Sequence, residues 1–294
     1  MSLSRRRFLT ISAACVAAPV LADAAPARWQ GMAMGAEAEI TLYGPGAPVA
    51  LTEAVARLRG VERCFSLYDP GSELSVLNRE GLLVPSEDFH ALMAQADAIH
   101  RATGGAFDPS VQPLWRALAM GGDVRAARDA IGWDRVALGA RIVLAPGQAL
   151  TFNGIAQGFA TDIVADLLAA RGFGRALVNI GEFRALGGPW RLGLSDPGEG
   201  YLGTRTLEGG AIATSSPGAL MLGEEGHILD PRGQGAARWS TVSVEAQSAT
   251  VADGMSTAGC LMSAEEIARA AGALPGIRRV TLVDREGDLR VVEV

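Results

Sequence analysis

Histidine and cysteine each occur only three times in 294 residues. So few cysteines, spread over such a length, define no disulfide framework. Cys64 lies among apolar helical positions and is expected to be buried as a small hydrophobe; Cys260 receives no role. A basic excess is missing too: 26 Lys and Arg face 32 Asp and Glu, a formal charge of −6. No basic stripe is visible, which excludes a nucleic-acid partner. There is no internal repeat and no low-complexity linker to mark a boundary. No GxGxxG sits between a strand and a helix, so a dinucleotide-binding βαβ unit is excluded. What remains is an ordinary globular composition, 49% apolar and 20% charged, sufficient for one large domain or two small ones.

The first residues read as an address. Ser4-Arg5-Arg6-Arg7-Phe8-Leu9 opens an apolar stretch that runs to Leu21. A basic start, an apolar middle and a small-residue end make a secretory signal, and the arginine pair followed by Phe and Leu matches the twin-arginine form. The stretch is shorter than the about 20 residues a membrane-spanning helix needs. Ala22-Asp23-Ala24 has the form of a cleavage site. The expected division is therefore a signal peptide over 1–24 and a mature periplasmic chain over 25–294. A lipoprotein reading at Cys15 is set aside, because Ser12 stands where a large aliphatic is needed and apolar sequence continues beyond it.

Along the mature chain, periodicity predicts a strand over 37–43 and a helix over 49–63, with Leu51, Ala54, Val55, Leu58 and Val61 inward. Ser86 reads as the N-cap of a helix carrying Phe89, Leu92, Met93, Ala96 and Ile99, released at Thr103-Gly104-Gly105. Short apolar runs at 141–144, 176–179, 190–194, 211–214, 241–245 and 279–283 read as strands. Helices are expected over 155–170 and 251–262. Helices and strands mix without regular alternation, so the fold class is α+β, with mixed sheets and packed helices.

Four constellations carry polar groups suited to chemistry. Gly104-Gly105-Ala106-Phe107-Asp108-Pro109 ends a glycine turn in a carboxylate, which could equally be a helix cap. Asn153–Asp162 brings small residues into a helix, where free N–H groups can face a phosphate. Gly158 costs about 1 kcal/mol inside a helix relative to Ala, so it needs a reason: a ligand or close helix packing. His227, in Gly226-His227-Ile228-Leu229-Asp230-Pro231, lies in a strand-like run, whereas His90 and His100 fall on a polar helix face and read as solvated. Asp253 and Thr257 are four apart, hence on one helix face, and their oxygens suit Mg2+ or Ca2+. A dipole-stabilising Asp beside an indifferent Thr is the bland alternative.

Taken in order, these segments resemble the ApbE family of FAD:protein FMN transferases. The resemblance also uses Met34-Gly35, Tyr68, Ser72–Asn78, Val178–Gly187 and Ala213-Thr214-Ser215. It implies FAD as substrate and a divalent metal, usually Mg2+, held by Asp253, Thr257 and the carbonyl of Gly154. It implies that Met34, Tyr68, Ala106, Phe107, Asp108, Thr151, Gln157 and Leu229 line the flavin nucleotide site. His227 becomes the candidate base for an acceptor threonine hydroxyl, giving an FMN-threonyl phosphoester and AMP. Acceptors of the family carry Ser/Thr-Gly-Ala-Thr. Gln247-Ser248-Ala249-Thr250 lacks the Gly, so this chain reads as donor and not as its own target. There are departures: Thr151 where many members have Asp, Gln157 for Lys or Glu, Asn179-Ile180-Gly181-Glu182 one glycine short, and Ser216-Pro217 where Gly is expected. They bear on FAD affinity and turnover, and leave Asp253, Thr257 and His227 untouched. The wording resembles the branch linked to nitrous-oxide respiration, which implies a membrane-anchored acceptor flavoprotein. An FAD pyrophosphatase and a non-catalytic flavin-binding assembly factor stay open as alternatives.

Overall fold

The computed structural model describes residues 25–223 and 225–294, so the expected signal peptide over 1–24 lies outside the described residues. Strand β1 (Ala27–Ala33) turns back through Met34-Gly35 into β2 (Ala36–Leu42). Helix α1 (Ala47–Phe65) follows and buries Leu51, Ala54, Leu58, Val61 and Phe65 at helical spacing. Next come α2 (Glu73–Glu80), β3 (Leu82–Leu83) and α3 (Glu87–Ala102), the last capped by the Ser86 side chain on the Phe89 N–H. Two short helices, α4 (Gln112–Met120) and α5 (Val124–Asp129), precede β4 (Ile142–Val143) and the long α6 (Ala156–Ala170).

The second half is richer in strands. They are β5 (Ala176–Ile180), β6 (Phe183–Leu186), β7 (Trp190–Asp196), β8 (Gly200–Leu207), β9 (Gly210–Ser215), β10 (Met221–Leu222), β11 (Glu225–Gly226) and β12 (Thr241–Ala246). Helices α7 (Ala249–Gly259) and α8 (Ala264–Ala273) and strands β13 (Ile277–Val283) and β14 (Leu289–Glu293) close the chain. Eight strands form one sheet in the order β1-β2-β5-β6-β9-β12-β13-β14. Every neighbouring pair in it is antiparallel. This is the expected α+β class, and it is not a doubly wound parallel sheet.

The two faces of the sheet do different work. Val178 and Ile180 of β5 point to the main core, which also takes in residues of α1, α3, α6 and α7; Leu177 points the other way. On that opposite face Leu177, Phe183, Ala185 and Ile212 pack under the β7–β8 hairpin with Trp190, Leu192 and Leu207. Asp196 fastens this hairpin, accepting hydrogen bonds from the N–H groups of Gly198 and Glu199 and the hydroxyls of Ser240 and Thr241.

Several sequence expectations need correction. The elements α2, α4, α5, α8, β1, β3, β6, β8, β10, β11 and β14 are not among those predicted, and α7 ends at Gly259, three residues before the expected limit. Cys64 is only half-buried, because its side chain sits at the edge of α1 beside Ser86. Burial nonetheless pushes its thiol up to about 11. Both described cysteines are free thiols. Among the described residues no helix is long and apolar enough to cross a membrane.

Candidate active site

The crossing of α6 and α7 sets the site. Gly158 lies so close to α7 that a Cβ there would fall 2.3 Å from the Ala249 carbonyl oxygen and 2.7 Å from Asp253 Cβ. Close packing, one of the two reasons expected, therefore accounts for this glycine. The Gly158 N–H, one of the free donors of the first turn of α6, is taken by Asp253 Oδ2 at 2.9 Å. One turn on, Asp162 accepts five hydrogen bonds, from Arg184, Ser248, the Ala249 and Thr250 N–H groups, and the Thr250 hydroxyl. It thereby pins the start of α7 against α6. The crossing brings Thr257 Oγ1 to 3.3 Å from the Gly154 carbonyl, to which it donates. A Cβ at Gly154 would collide with Thr257 Oγ1 at 2.8 Å.

Asp253, Thr257 and the Gly154 carbonyl thus converge as the resemblance implied. A carboxylate, a hydroxyl and a carbonyl are the hard oxygen donors Mg2+ accepts while keeping several waters. Among the described residues there is no group of three His, Cys, Asp or Glu that could hold a metal. A site of one carboxylate and neutral oxygens is compatible with that. Asp253 is 3% exposed, and burial pushes its pKa up to about 7, aided by the charge of Asp162 and opposed by the Gly158 hydrogen bond. It has no ion-pair partner among the described residues. A buried acid in that position fits a divalent cation as its counter-charge.

A second acid, missed in the sequence as a site residue, stands beside it. Glu182 sits in the β5–β6 turn, 7% exposed, with Oε2 accepting the Thr214 N–H at 3.0 Å. Burial, and then the charge of Asp253, raise its pKa well above the usual carboxylate range. Next to Thr214, Ser215 Oγ reaches Ser256 Oγ at 2.8 Å and Thr257 Oγ1 at 3.3 Å. The only signal for Glu182 was its place in the glycine-short Asn179–Glu182 motif.

Met34 and Gln157 also come together. Gln157 Nε2 donates to the Met34 carbonyl at 3.3 Å, and Glu62 Oε1 receives the Met34 N–H at 3.0 Å. These contacts hold Met34 at a φ of 50°, unusual for a side chain of its size. Gly181 presses on the same glutamine, since a Cβ there would lie 2.5 Å from Gln157 Cδ.

His227 is tied in through the segment after β9. Its Nδ1 lies 3.1 Å from the Pro217 carbonyl, which can only accept, so Nδ1 carries the proton. Nε2 is left as the basic nitrogen. Gly226 permits this approach, because a Cβ there would stand 2.6 Å from the Pro217 oxygen. Burial lowers the His227 pKa below its ordinary value, against the raising effect of hydrogen bonds with the Pro217 and Leu220 backbone. Pro217 follows Ser215 by two residues, so the imidazole and the Thr257 hydroxyl are held by one short stretch.

The other expected nucleotide residues are placed less directly. Ala106 and Phe107 are buried in the main core, and Leu229 packs with Leu114, Ala117 and Ala127. Asp108 caps the turn Pro109–Val111: Oδ1 accepts from the Ser110 N–H and hydroxyl, and Oδ2 from the Trp133 N–H. Thr151 Oγ1 accepts the Asn153 N–H at 3.2 Å. Tyr68 is 84% exposed on the loop after α1 and meets none of them. His100 is not the solvated histidine expected. It is largely covered by Trp133, and its Nδ1 donates to the Phe107 carbonyl at 2.8 Å, supporting the 106–108 turn. Thr250, of the near-motif Gln247–Thr250, is 3% exposed.

Comparison with known proteins follows the same outline. The model of the ApbE family matches residues 34–280. A FAD:protein FMN transferase of Vibrio cholerae serotype O1 is 29% identical over 249 residues, 73% of this chain and 73% of that protein. The structure of a flavinyl transferase ApbE from Pseudomonas stutzeri, in its apo form, superposes with a TM-score of 0.79 and 26% identity, covering 94% of this chain and 96% of the other. The flavin transferase ApbE from Vibrio cholerae superposes with a TM-score of 0.77 and 25% identity, covering 91% and 97%.

Proposed function

The chain belongs to the ApbE family, and from that premise we propose that it splits FAD and attaches the FMN half to a threonine of an acceptor protein, releasing AMP. The observation that carries this reading is the α6–α7 crossing, where Asp253, Thr257 and the Gly154 carbonyl meet within reach of a segment that orients His227. The fold and the flavin-transferase identity of the relatives agree with it.

Asp253, Thr257 and Gly154 would hold Mg2+, which when bound neutralises the pyrophosphate oxygens and orients the leaving AMP. The chain's own residues do the rest. His227 Nε2 is unprotonated because Nδ1 holds the proton against Pro217, so it can accept the proton of the incoming hydroxyl. The threonine oxygen bonds to the FMN phosphorus as the anhydride bond to AMP breaks. Burial keeps the imidazole neutral at physiological pH, so the base is ready without prior deprotonation. Met34 and Gln157, joined by a hydrogen bond, would shape one wall of the nucleotide site.

The same proposal includes export by the twin-arginine route to the periplasm, and an acceptor bearing Ser/Thr-Gly-Ala-Thr, membrane-anchored if the nitrous-oxide branch is the right one. The test is intact mass after incubating the mature protein with FAD, Mg2+ and a tagged acceptor bearing Ser-Gly-Ala-Thr. A metal-dependent gain equal to FMN, with AMP released, is the expected outcome. Free FMN and AMP without gain would replace the transferase by a pyrophosphatase. FAD recovered unchanged with several acceptors would replace both by a flavin-binding assembly factor.

A further inference from the structure

Resting on the reading of the α6–α7 crossing as a cation site, we propose that Glu182 is the second carboxylate of that site and sets its affinity for a divalent cation. The placement stands on contacts from three sides. Its carbonyl accepts the Thr161 hydroxyl at 3.2 Å, one turn along α6 from the Gly158 N–H that holds Asp253. Its Oε2 accepts the Thr214 N–H, adjacent to Ser215, which touches the Thr257 hydroxyl. Its neighbour Gly181 bears on Gln157.

Glu182 differs from the other buried acids of the molecule in what it lacks. Neither Glu182 nor Asp253 has a Lys or Arg partner among the described residues, and both are buried, 7% and 3% exposed. Among the described residues each side chain accepts one hydrogen bond, on a single oxygen. The sealed side-chain atoms without partners include Asn179 Oδ1 and Trp190 Nε1 but no oxygen of either acid, so their second oxygens are not sealed off. A pair of acids held this way is costly without a cation and favourable with one. Cation affinity at oxygen sites rises with the number of ligand charges, so Glu182 contributes through its charge whether or not it touches the ion.

The experiment titrates Mn2+ into the metal-free mature protein and follows the free-ion electron paramagnetic signal. Glu182→Gln keeps an oxygen for the Thr214 N–H and removes only the charge. It is expected to bind Mn2+ about ten-fold more weakly. Glu182→Asp keeps the charge and is expected to stay close to the unsubstituted protein. Equal losses in both variants would overturn the proposal, since the Thr214 contact rather than charge would then be the cause. Unchanged affinity in Glu182→Gln alongside loss of binding in Asp253→Asn would overturn it while leaving the cation site intact. Unchanged affinity in Asp253→Asn would remove the cation site itself, and the role of Glu182 with it.

Discussion

Four buried acids hold this sheet-and-helix framework, and two of them are built differently from the other two. Asp162 accepts five hydrogen bonds, one of them from the Arg184 guanidinium; Asp196 accepts four, from two hydroxyls and two backbone N–H groups. Asp253 and Glu182 each accept one. The first pair are saturated and act as fasteners: Asp162 joins α6 to α7, and Asp196 joins the β7–β8 hairpin to β12. Burial tends to raise the Asp196 pKa, but the Ser240 and Thr241 hydroxyls and the two N–H groups reverse it, so the net shift is downward. For Asp253 the single hydrogen bond does not reverse the effect of burial, and the net shift is upward. Burial of charge alone therefore does not separate the two pairs. The number of protein donors left to answer it does.

The sharpest way to break that contrast is Asp253→Asn. Transfer should fall by about three orders of magnitude or more, as expected when a metal-assisted step loses its ligand. Chemical denaturation should find the fold no less stable, because an isosteric amide removes an unanswered buried charge. A variant that unfolds would place Asp253 among the fasteners instead. Next is His227→Ala, for which turnover should drop roughly 10²- to 10⁴-fold with FAD binding, read by flavin fluorescence, retained. His227 has its pKa lowered from the ordinary histidine value by burial, so its neutral form dominates above that value. The pH–rate profile should be flat from neutral pH upward and decline as pH falls below about 6.5, the unperturbed value; in the alanine variant the acid limb should disappear. The smallest effect on chemistry belongs to Asp162→Asn. Removing one partner of a buried ion pair should cost about 3 kcal/mol in urea unfolding, while transfer per folded molecule persists. Loss of transfer without loss of stability would show that the fastener is part of the site.

The contiguous parts of this site were legible in the sequence. Asn153–Asp162 and Ala252–Thr257 lie on two helices whose apolar spacing is regular, and Asp253 and Thr257 share a face by helix geometry alone. What escaped depended on the chain returning over itself. His100 lies on the polar side of α3, but Trp133 and the 106–108 turn come back to cover it. Glu182 reaches the Thr214 N–H of β9, beside Ser215, only because of the β5–β6 turn. Among the elements, α2 is a short helix with few apolar positions, and its Ser72–Asn78 wording drew attention as a motif rather than as a period. For α8 the cue was present: Ser263 and Glu266 form a reciprocal cap just ahead of Ile267. The saturated acids Asp162 and Asp196 could not be told from the unsaturated ones, because their donors lie between 2 and 88 residues away in the chain.

The burial of Thr250 bears on how a protein-modifying enzyme lives with its own reactivity. The stretch Ser248-Ala249-Thr250 is the nearest approach of this chain to a modifiable sequence, yet its hydroxyl is sealed beneath Asp162 and committed as a donor to it. The same bond that starts α7, and so positions Asp253 three residues later, also hides the chain's best internal decoy. A hydroxyl placed in this way is closed to an incoming phosphoryl group for as long as α7 keeps its packing on α6.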